Sequence, residues 1–99
     1  MNHINFLTGI RLSKELVNIL LSENENNWIK SINAIVRELE SHNIENAASI
    51  YDTINAGNGS FSDFHIWRND FDERVKENEK LDRIKRELED FLNQTESKG

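Results

Sequence analysis

The sequence predicts an all-α fold, a compact bundle of four to five helices. The chain has no proline in its 99 residues, so no helix is interrupted by a residue that lacks an amide hydrogen. Apolar residues recur at spacings of three and four along most of the chain, which is the period of an amphipathic helix. Two of the four glycines lie in residues 55–67, where this pattern stops. We therefore expect one helical domain over residues 1–99, with a glycine-containing loop before a long last helix.

Composition limits the classes of function. Cysteine is absent, which excludes disulfides and thiolate zinc sites. Eighteen acidic residues against 12 basic ones give a net charge of −6, so direct binding to nucleic acid or to an anionic membrane is disfavoured. The charge keeps a small protein soluble and can also complement a basic partner. With neither a signal peptide at the start nor an apolar run near the roughly 20 residues of a membrane span, we expect a cytoplasmic protein.

The first helix is predicted over residues 8–22, with Ser13 as an alternative start. Gly9 weakens the helical pattern near the beginning. Residues 1–7 are expected to form an extended arm against the bundle. The apolar face of this helix comprises Leu12, Leu16, Val17, Ile19 and Leu20.

The second and third helices follow short polar segments. The second is predicted over residues 28–41, capped by Asn26 or Asn27. Trp28, at its start, is interpreted as a core residue in preference to an exposed contact residue. The third is predicted over residues 44–54, with Asn43 as its cap. The second helix carries the clearest amphipathic pattern, formed by Trp28, Ile29, Ile32, Ile35, Val36 and Leu39.

The glycine loop is predicted to turn sharply and then form a short helical turn. Gly57 fits a helix C-terminal position that needs a positive φ, and Gly59 allows a second bend. Ser60 is a candidate cap for the turn. A short strand over residues 64–67 is a less favoured alternative, because the sequence offers no partner strand. Three aromatic residues are spaced by three, as on one helical face: Phe61, Phe64 and Trp67.

The last helix is predicted from residue 69 or 70 to residue 93, and residues 95–99 are predicted to be a frayed tail. Its apolar stripe has a gap at Asn78, which indicates an overhang, a bend or a break. The stripe comprises Phe71, Val75, Leu81, Ile84, Leu88, Phe91 and Leu92. Acid-to-base pairs at i,i+4 are Asp70–Arg74, Asp72–Lys76, Glu79–Arg83 and Asp82–Arg86, each contributing about 0.2–0.5 kcal/mol if formed.

The sequence does not favour an enzyme. Asp63 and His65 offer two metal ligands, whereas a catalytic metal usually has three protein ligands. No serine stands in a nucleophile motif, and the glycine loop lacks the lysine of a phosphate-binding loop. We therefore expect neither catalytic residues nor a metal or other cofactor.

Aromatic and acidic residues occur together around the glycine loop, and aromatic residues often anchor protein interfaces. The alternative is that the aromatic side chains fill the end of the bundle and the acids are merely solvated. The candidate partner-binding residues are Asp52, Asp63, Phe64, Trp67, Asp70, Asp72 and Glu73.

Part of the chain resembles a known family. The pattern I-Y-x-x-[IL]-x-x-G-x-G-S-F-x-D resembles small helical bacterial immunity proteins that accompany polymorphic or contact-dependent toxins. The resemblance covers roughly residues 28–92, and its specific part is residues 57–63. In this chain the pattern is read at Ile50, Tyr51, Ile54, Gly57, Gly59, Ser60, Phe61 and Asp63.

The resemblance implies a function. Such a protein would bind and neutralise a cognate toxin inside the producing cell. Many such toxins are nucleases with basic clefts, which an acidic surface can cover. The alternative from a different class is a non-enzymatic helical module with a regulatory or scaffolding role, which would use the same acidic face on another partner.

Overall fold

The structure, a computed structural model, describes residues 4–57 and 59–94. Its elements are α1 (Phe6–Ser22), α2 (Ile29–Glu40), α3 (Ile44–Ile54), a 3₁₀ turn (Phe61–Asp63) and α4 (Phe71–Leu92). No strand occurs in these ranges, so the predicted all-α bundle is confirmed. None of the described helices carries an apolar stretch long enough to cross a membrane. The predicted tail at residues 95–99 lies outside the described residues.

The bundle closes around one apolar core. The helix α1 packs on α2, α2 packs on α3, and α4 contacts both α1 and α3. Full burial of a leucine or isoleucine side chain contributes about 1.5–3 kcal/mol to the free energy of folding. Burial of these apolar faces therefore stabilises the packing of the helices. Side chains with no exposed surface include Leu16, Leu20, Ile32, Ile35, Leu39, Phe61, Leu81 and Leu88.

The first helix begins two residues earlier than predicted. Asn5 is its N-cap, and the Asn5 side chain accepts a hydrogen bond from the Leu7 amide at 3.2 Å. The expected arm therefore ends at Asn5, and residues 1–3 lie outside the described residues. Ser13 does not start the helix, because it is buried inside it and its hydroxyl donates to the Gly9 carbonyl at 2.8 Å.

The second helix starts at Ile29, and Trp28 occupies its N-cap position without a side-chain cap. The predicted cap by Asn26 or Asn27 is therefore wrong. Instead, the Asn27 amide donates to Glu25 Oε1 at 3.3 Å within the loop. Trp28 is half-buried and packs against the core, as the sequence indicates.

The third helix has the predicted bounds. Asn43 caps it by accepting a hydrogen bond from the Asn46 amide at 3.2 Å. Gly57 and Gly59 follow with φ values of +85° and +72°, so the positive φ predicted at Gly57 is confirmed. A Cβ at either glycine would be strained in this region of backbone conformation.

The helical turn after the glycines is shorter than predicted. It ends at Asp63, and Phe64 has φ −68° and ψ 132°, an extended conformation. The three aromatic residues therefore do not share one helical face. Phe61 is buried, Phe64 is half-buried and Trp67 is exposed.

The last helix runs unbroken past Asn78, and its first two turns extend beyond the core. Phe71 and Val75, two members of the predicted apolar stripe, are exposed. Of the three explanations for the gap at Asn78, the overhang is therefore correct. The four predicted acid-to-base pairs are not among the ion pairs of the described chain, where α4 instead holds an exposed pair between Arg83 and Glu87.

The close approach of α1 to α4 generates the first prediction. A Cβ at Gly9 would lie 2.7 Å from Phe91 Cδ2. A glycine-to-alanine change inside an exposed helix usually stabilises by about 0.5–1 kcal/mol. We expect the opposite sign for Gly9→Ala, a loss of about 1–3 kcal/mol in the free energy of unfolding, because overpacking displaces the Phe91 ring. Urea denaturation measures it.

The control for this prediction is Asn18→Ala, at an exposed position of the same helix. This change should leave the free energy of unfolding unchanged or raise it slightly, because alanine has the higher helix propensity. A Gly9→Ala protein as stable as the Asn18→Ala protein would contradict the close packing of α1 on α4.

Candidate partner-binding surface

The segment that joins the 3₁₀ turn to α4 begins in an aromatic cluster. The Phe61 ring lies 5.5 Å from the Trp28 ring and 6.0 Å from the Phe64 ring, measured between centroids. Lys85, on α4, donates hydrogen bonds from Nζ to the carbonyls of Phe61 at 3.0 Å and Phe64 at 3.3 Å. Burial lowers the pKa of Lys85. The lysine thus supplies donors to the carbonyls of the first residue of the turn and of the residue that follows it.

Asn78 holds the middle of this segment. Its Oδ1 accepts from the Ile66 amide at 2.7 Å, and its Nδ2 donates to the Ile66 carbonyl at 2.8 Å. The same Nδ2 also donates to the Arg74 carbonyl at 2.8 Å. Both backbone groups of Ile66 are therefore paired by one side chain, as a neighbouring strand would pair them. The Ile66 side chain is buried below.

Arg68, at the end of the segment, binds Glu23 at the C-cap of α1 and Glu77 on α4. Its guanidinium donates to both Glu23 oxygens, at 2.9 and 2.6 Å, and lies 2.8 Å from Glu77 and 3.9 Å from Glu73. The hydrogen bonds from Arg68 hold the pKa of Glu23 below its usual range. A bidentate arginine–carboxylate pair is both stronger and more directional than a single contact. Arg68 therefore fixes where the next residues lie.

Beyond Arg68 the chain presents apolar surface to solvent. Trp67 is 64% exposed and Phe71 is 63% exposed. The Arg74 guanidinium carbon lies 4.3 Å from the Trp67 ring centroid and 5.4 Å from that of Phe71, within the range of a cation–π contact. We call Trp67, Phe71, Arg74 and Val75 the aromatic patch.

Three of the predicted acidic residues surround Phe71 in sequence and lie at the start of α4. Asp70 is the N-cap and accepts from the Asp72 amide at 3.3 Å. Asp72 and Glu73 are exposed in the first turn. Carboxylates are favourable here because the N-terminal end of a helix carries partial positive charge.

The other predicted site residues lie elsewhere. Asp63 accepts from the Gly59 amide at 2.8 Å and, with the half-buried Phe64, lines a cavity of about 270 Å³. Asp52 is exposed on α3 and lines a separate groove of about 430 Å³ with Lys85 and Arg86. The structure thus places Trp67, Asp70, Asp72 and Glu73 along one stretch of chain, and Asp52 in a different concavity.

Asp63 and His65 are the two residues considered as metal ligands, and the hydrogen bond between them joins the His65 imidazole to the Asp63 backbone. His65 Nδ1 lies 3.1 Å from the Asp63 carbonyl oxygen. In the part of the chain that the structure describes, no three histidine, cysteine, aspartate or glutamate residues are grouped to hold a metal ion.

Sequence reasoning missed the residues that position the surface, namely Arg68, Asn78 and Lys85. The interruption of the apolar stripe by Asn78 was the available signal, since a polar residue on an inward face needs a hydrogen-bond partner. The identity of that partner depends on contacts far apart in sequence.

Comparisons with protein families, with curated proteins and with solved structures give no match for this chain.

The Arg68–Glu23 pair generates a prediction about pH. Because folding lowers the pKa of Glu23 from its ordinary 4.5, the pair stabilises fully above that value, and the contribution is lost as the pH falls through the folded pKa. Arg68→Gln should therefore lower the melting temperature near pH 7 and reduce the further loss on acidification to about pH 3. Thermal melts across this range measure both.

The control is Arg83→Gln, which removes an exposed pair with Glu87 of the kind worth about 0–1 kcal/mol. Its acid dependence should match that of the wild type. If the melting temperatures of the wild type and Arg68→Gln fall in parallel as the pH is lowered, Arg68 does not lower the pKa of Glu23.

Proposed function

We propose that this protein binds a basic partner protein and blocks its activity, as an immunity protein neutralises its cognate toxin. The observation that carries the proposal is the aromatic patch, which is exposed directly beside the acidic first turn of α4. The family resemblance in residues 57–63 supplies the class of partner, a bacterial toxin.

The chemistry of the surface supports a protein partner. Tryptophan and arginine are enriched among the residues that dominate binding energy at interfaces, and Trp67 and Arg74 are already stacked on each other. A side chain held in place before binding loses less conformational freedom on binding. The patch therefore offers a preorganised anchor.

The charge supports a basic partner. The net charge is −6, and Asp70, Asp72 and Glu73 rim the patch. Complementary charges at the rim of an interface chiefly raise the association rate. A nuclease that binds phosphate has a cationic cleft of the kind these carboxylates complement. In this proposal the acidic rim covers that cleft inside the cell that produces the toxin.

The rim is tested by charge reversal. Asp72→Lys should slow association with the candidate toxin, the protein encoded by the adjacent reading frame, by about three- to tenfold at low salt. The difference should shrink as salt rises, because exposed charges are screened. Stopped-flow or surface-binding kinetics at several ionic strengths measure the rate. Asp70 is unsuitable for this test, because its replacement also removes the α4 cap.

Asp90→Lys is the matched control for the rim. Asp90 is an exposed carboxylate of the same helix, 18 residues or about 27 Å further along the same face. The Asp90→Lys variant makes the same change in net charge as Asp72→Lys, but far from the aromatic patch. Equal slowing by both variants would mean that net charge, and not the α4 start, governs association.

The anchor is tested by truncation. Trp67→Ala should weaken partner affinity by about 2 kcal/mol, about thirtyfold in Kd, through faster dissociation. Its melting temperature should change little, because the side chain is mostly exposed. Calorimetry and rescue of cells from the toxin measure the binding and its consequence.

Leu7→Ala is the control for the anchor, because Leu7 is an exposed apolar residue on α1. It should leave affinity and rescue unchanged. If Trp67→Ala binds and rescues as well as the wild type, the patch is not the inhibitory surface. A partner that binds through the patch without any toxicity to neutralise would favour the regulatory or scaffolding alternative.

A further inference from the structure

The segment over residues 64–68 has one occupied backbone edge and one free edge. The Phe64 carbonyl and both backbone groups of Ile66 point toward α4, where Lys85 and Asn78 pair them. In an extended chain the amide and carbonyl of one residue face one side, and those of the next residue face the other. The amide and carbonyl of His65 and the amide of Trp67 therefore face away from α4.

These three outward groups lack backbone hydrogen-bond partners in the described chain. Among residues 4–57 and 59–94, no backbone hydrogen bond involves the amide of His65 or Trp67 or the carbonyl of His65. The Trp67 carbonyl accepts from Arg68 Nη1 at 2.8 Å. His65 and Trp67 are both exposed. Two donors and one acceptor are thus arranged as on the edge strand of a sheet, which is a template for another extended chain.

A cavity of about 270 Å³ adjoins this edge. Its walls include two aromatic residues, Trp28 and Phe64, and two carboxylates, Glu25 and Asp63. One oxygen of each carboxylate accepts from a loop amide, Asn27 for Glu25 and Gly59 for Asp63. Aromatic walls with carboxylates beside them suit the apolar stem and charged head of a lysine or arginine side chain.

We propose that the free edge of residues 64–68 pairs with an extended, basic segment of the partner protein, and that a cationic side chain of that segment enters the cavity lined by Glu25, Trp28, Asp63 and Phe64. This inference rests on the proposed function and adds how the partner is held. Addition of a strand to an exposed edge is an established mode of peptide recognition, in which backbone bonds give affinity and pockets give specificity. Here α4, through Asn78 and Lys85, takes the place of the second strand.

The charge pattern selects this occupant. The cavity carboxylates lie at the start of the edge, beside Phe64 and His65, and Asp70, Asp72 and Glu73 follow its end along the chain. An acidic or neutral strand would gain the backbone bonds without the charge complementarity, so it should bind more weakly.

The probe is a synthetic hexapeptide in which lysine and valine alternate, added to the whole protein. Hydrogen exchange followed by NMR should show slower exchange of the His65 and Trp67 amides when the peptide is bound. A peptide with glutamate in place of lysine should bind at least about tenfold more weakly. Unchanged exchange of both amides in the presence of saturating peptide would overturn the edge pairing.

Backbone methylation of the peptide provides a test that leaves the protein untouched. One peptide is N-methylated at every lysine and another at every valine, so that opposite edges of the strand are blocked. Exactly one of the two should lose binding, because only one edge of the peptide faces residues 64–68. Equal binding by both peptides, or loss of binding by both, would contradict the proposal.

A matched pair of protein variants isolates the His65 amide. His65→Ala keeps the N–H, whereas His65→Pro removes it. The preceding residue, Phe64, already has the extended conformation that proline requires of its neighbour. His65→Pro should weaken peptide binding about five- to tenfold relative to His65→Ala, with Trp28 and Trp67 fluorescence melts confirming that both fold. Equal affinity in the pair would overturn a role for this amide.

The outcomes separate the two proposals. If the toxin binds and is neutralised while the peptide tests fail, the acidic surface acts without strand pairing. If the peptide pairs with the edge while the toxin does not bind, the edge is a recognition site for a basic segment of another protein, and the immunity function is wrong.

Discussion

The arrangement of this surface depends on the hydrogen bonds that the Asn78 carboxamide makes with the backbone of Ile66. The carboxamide pairs both backbone groups of Ile66 at a point where the chain is not helical and has no strand beside it among the described residues. Buried backbone groups need partners, and α4 supplies them from a side chain. This is why residues 64–68 can be extended and yet lie firmly against a helix.

The exposure of the aromatic patch follows from the same constraint. Ile66 points into the core while Trp67, the next residue, points away from it, as successive side chains of an extended chain must. Arg68 then binds Glu23 and Glu77, so the start of α4 is fixed at the end of the bundle. Phe71 and Val75 consequently stand on the overhanging turns with no core beneath them. The position of the patch is thus a result of the fold, and its acidic rim comes from the residues that cap and open α4.

Local patterns predicted much of the scaffold. The third helix and its Asn43 cap, the core face of α2 and the positive φ of Gly57 depend on neighbours within a few residues, and each agrees with the structure. The Asn5 cap was not predicted, because the sequence also offers Thr8 as a start of the helix and Ser13 as an alternative one. Caps are chosen partly by packing, and the packing of Phe6 on the core is not visible locally.

The candidate surface was less predictable, for a physical reason. The aromatic residues Phe61, Phe64 and Trp67 have a spacing that fits a helix, yet Lys85 and Asn78 pair the backbone of an extended chain. These contacts join residues 12 to 24 positions apart, so no local propensity reports them. Likewise, Arg74 does not pair with Asp70. Its guanidinium stacks on the ring of Trp67, which precedes α4.

The most direct test of this account is native-state hydrogen exchange at the Ile66 amide. In the wild type this amide should exchange far more slowly than the His65 and Trp67 amides on either side, because only the Ile66 amide is bonded, to Asn78 Oδ1. In Asn78→Leu the protection of Ile66 should vanish while the amides of α1 and α2 stay protected. Rapid exchange at Ile66 in the wild type, or protection that survives Asn78→Leu, would contradict the claim that Asn78 holds the segment in place.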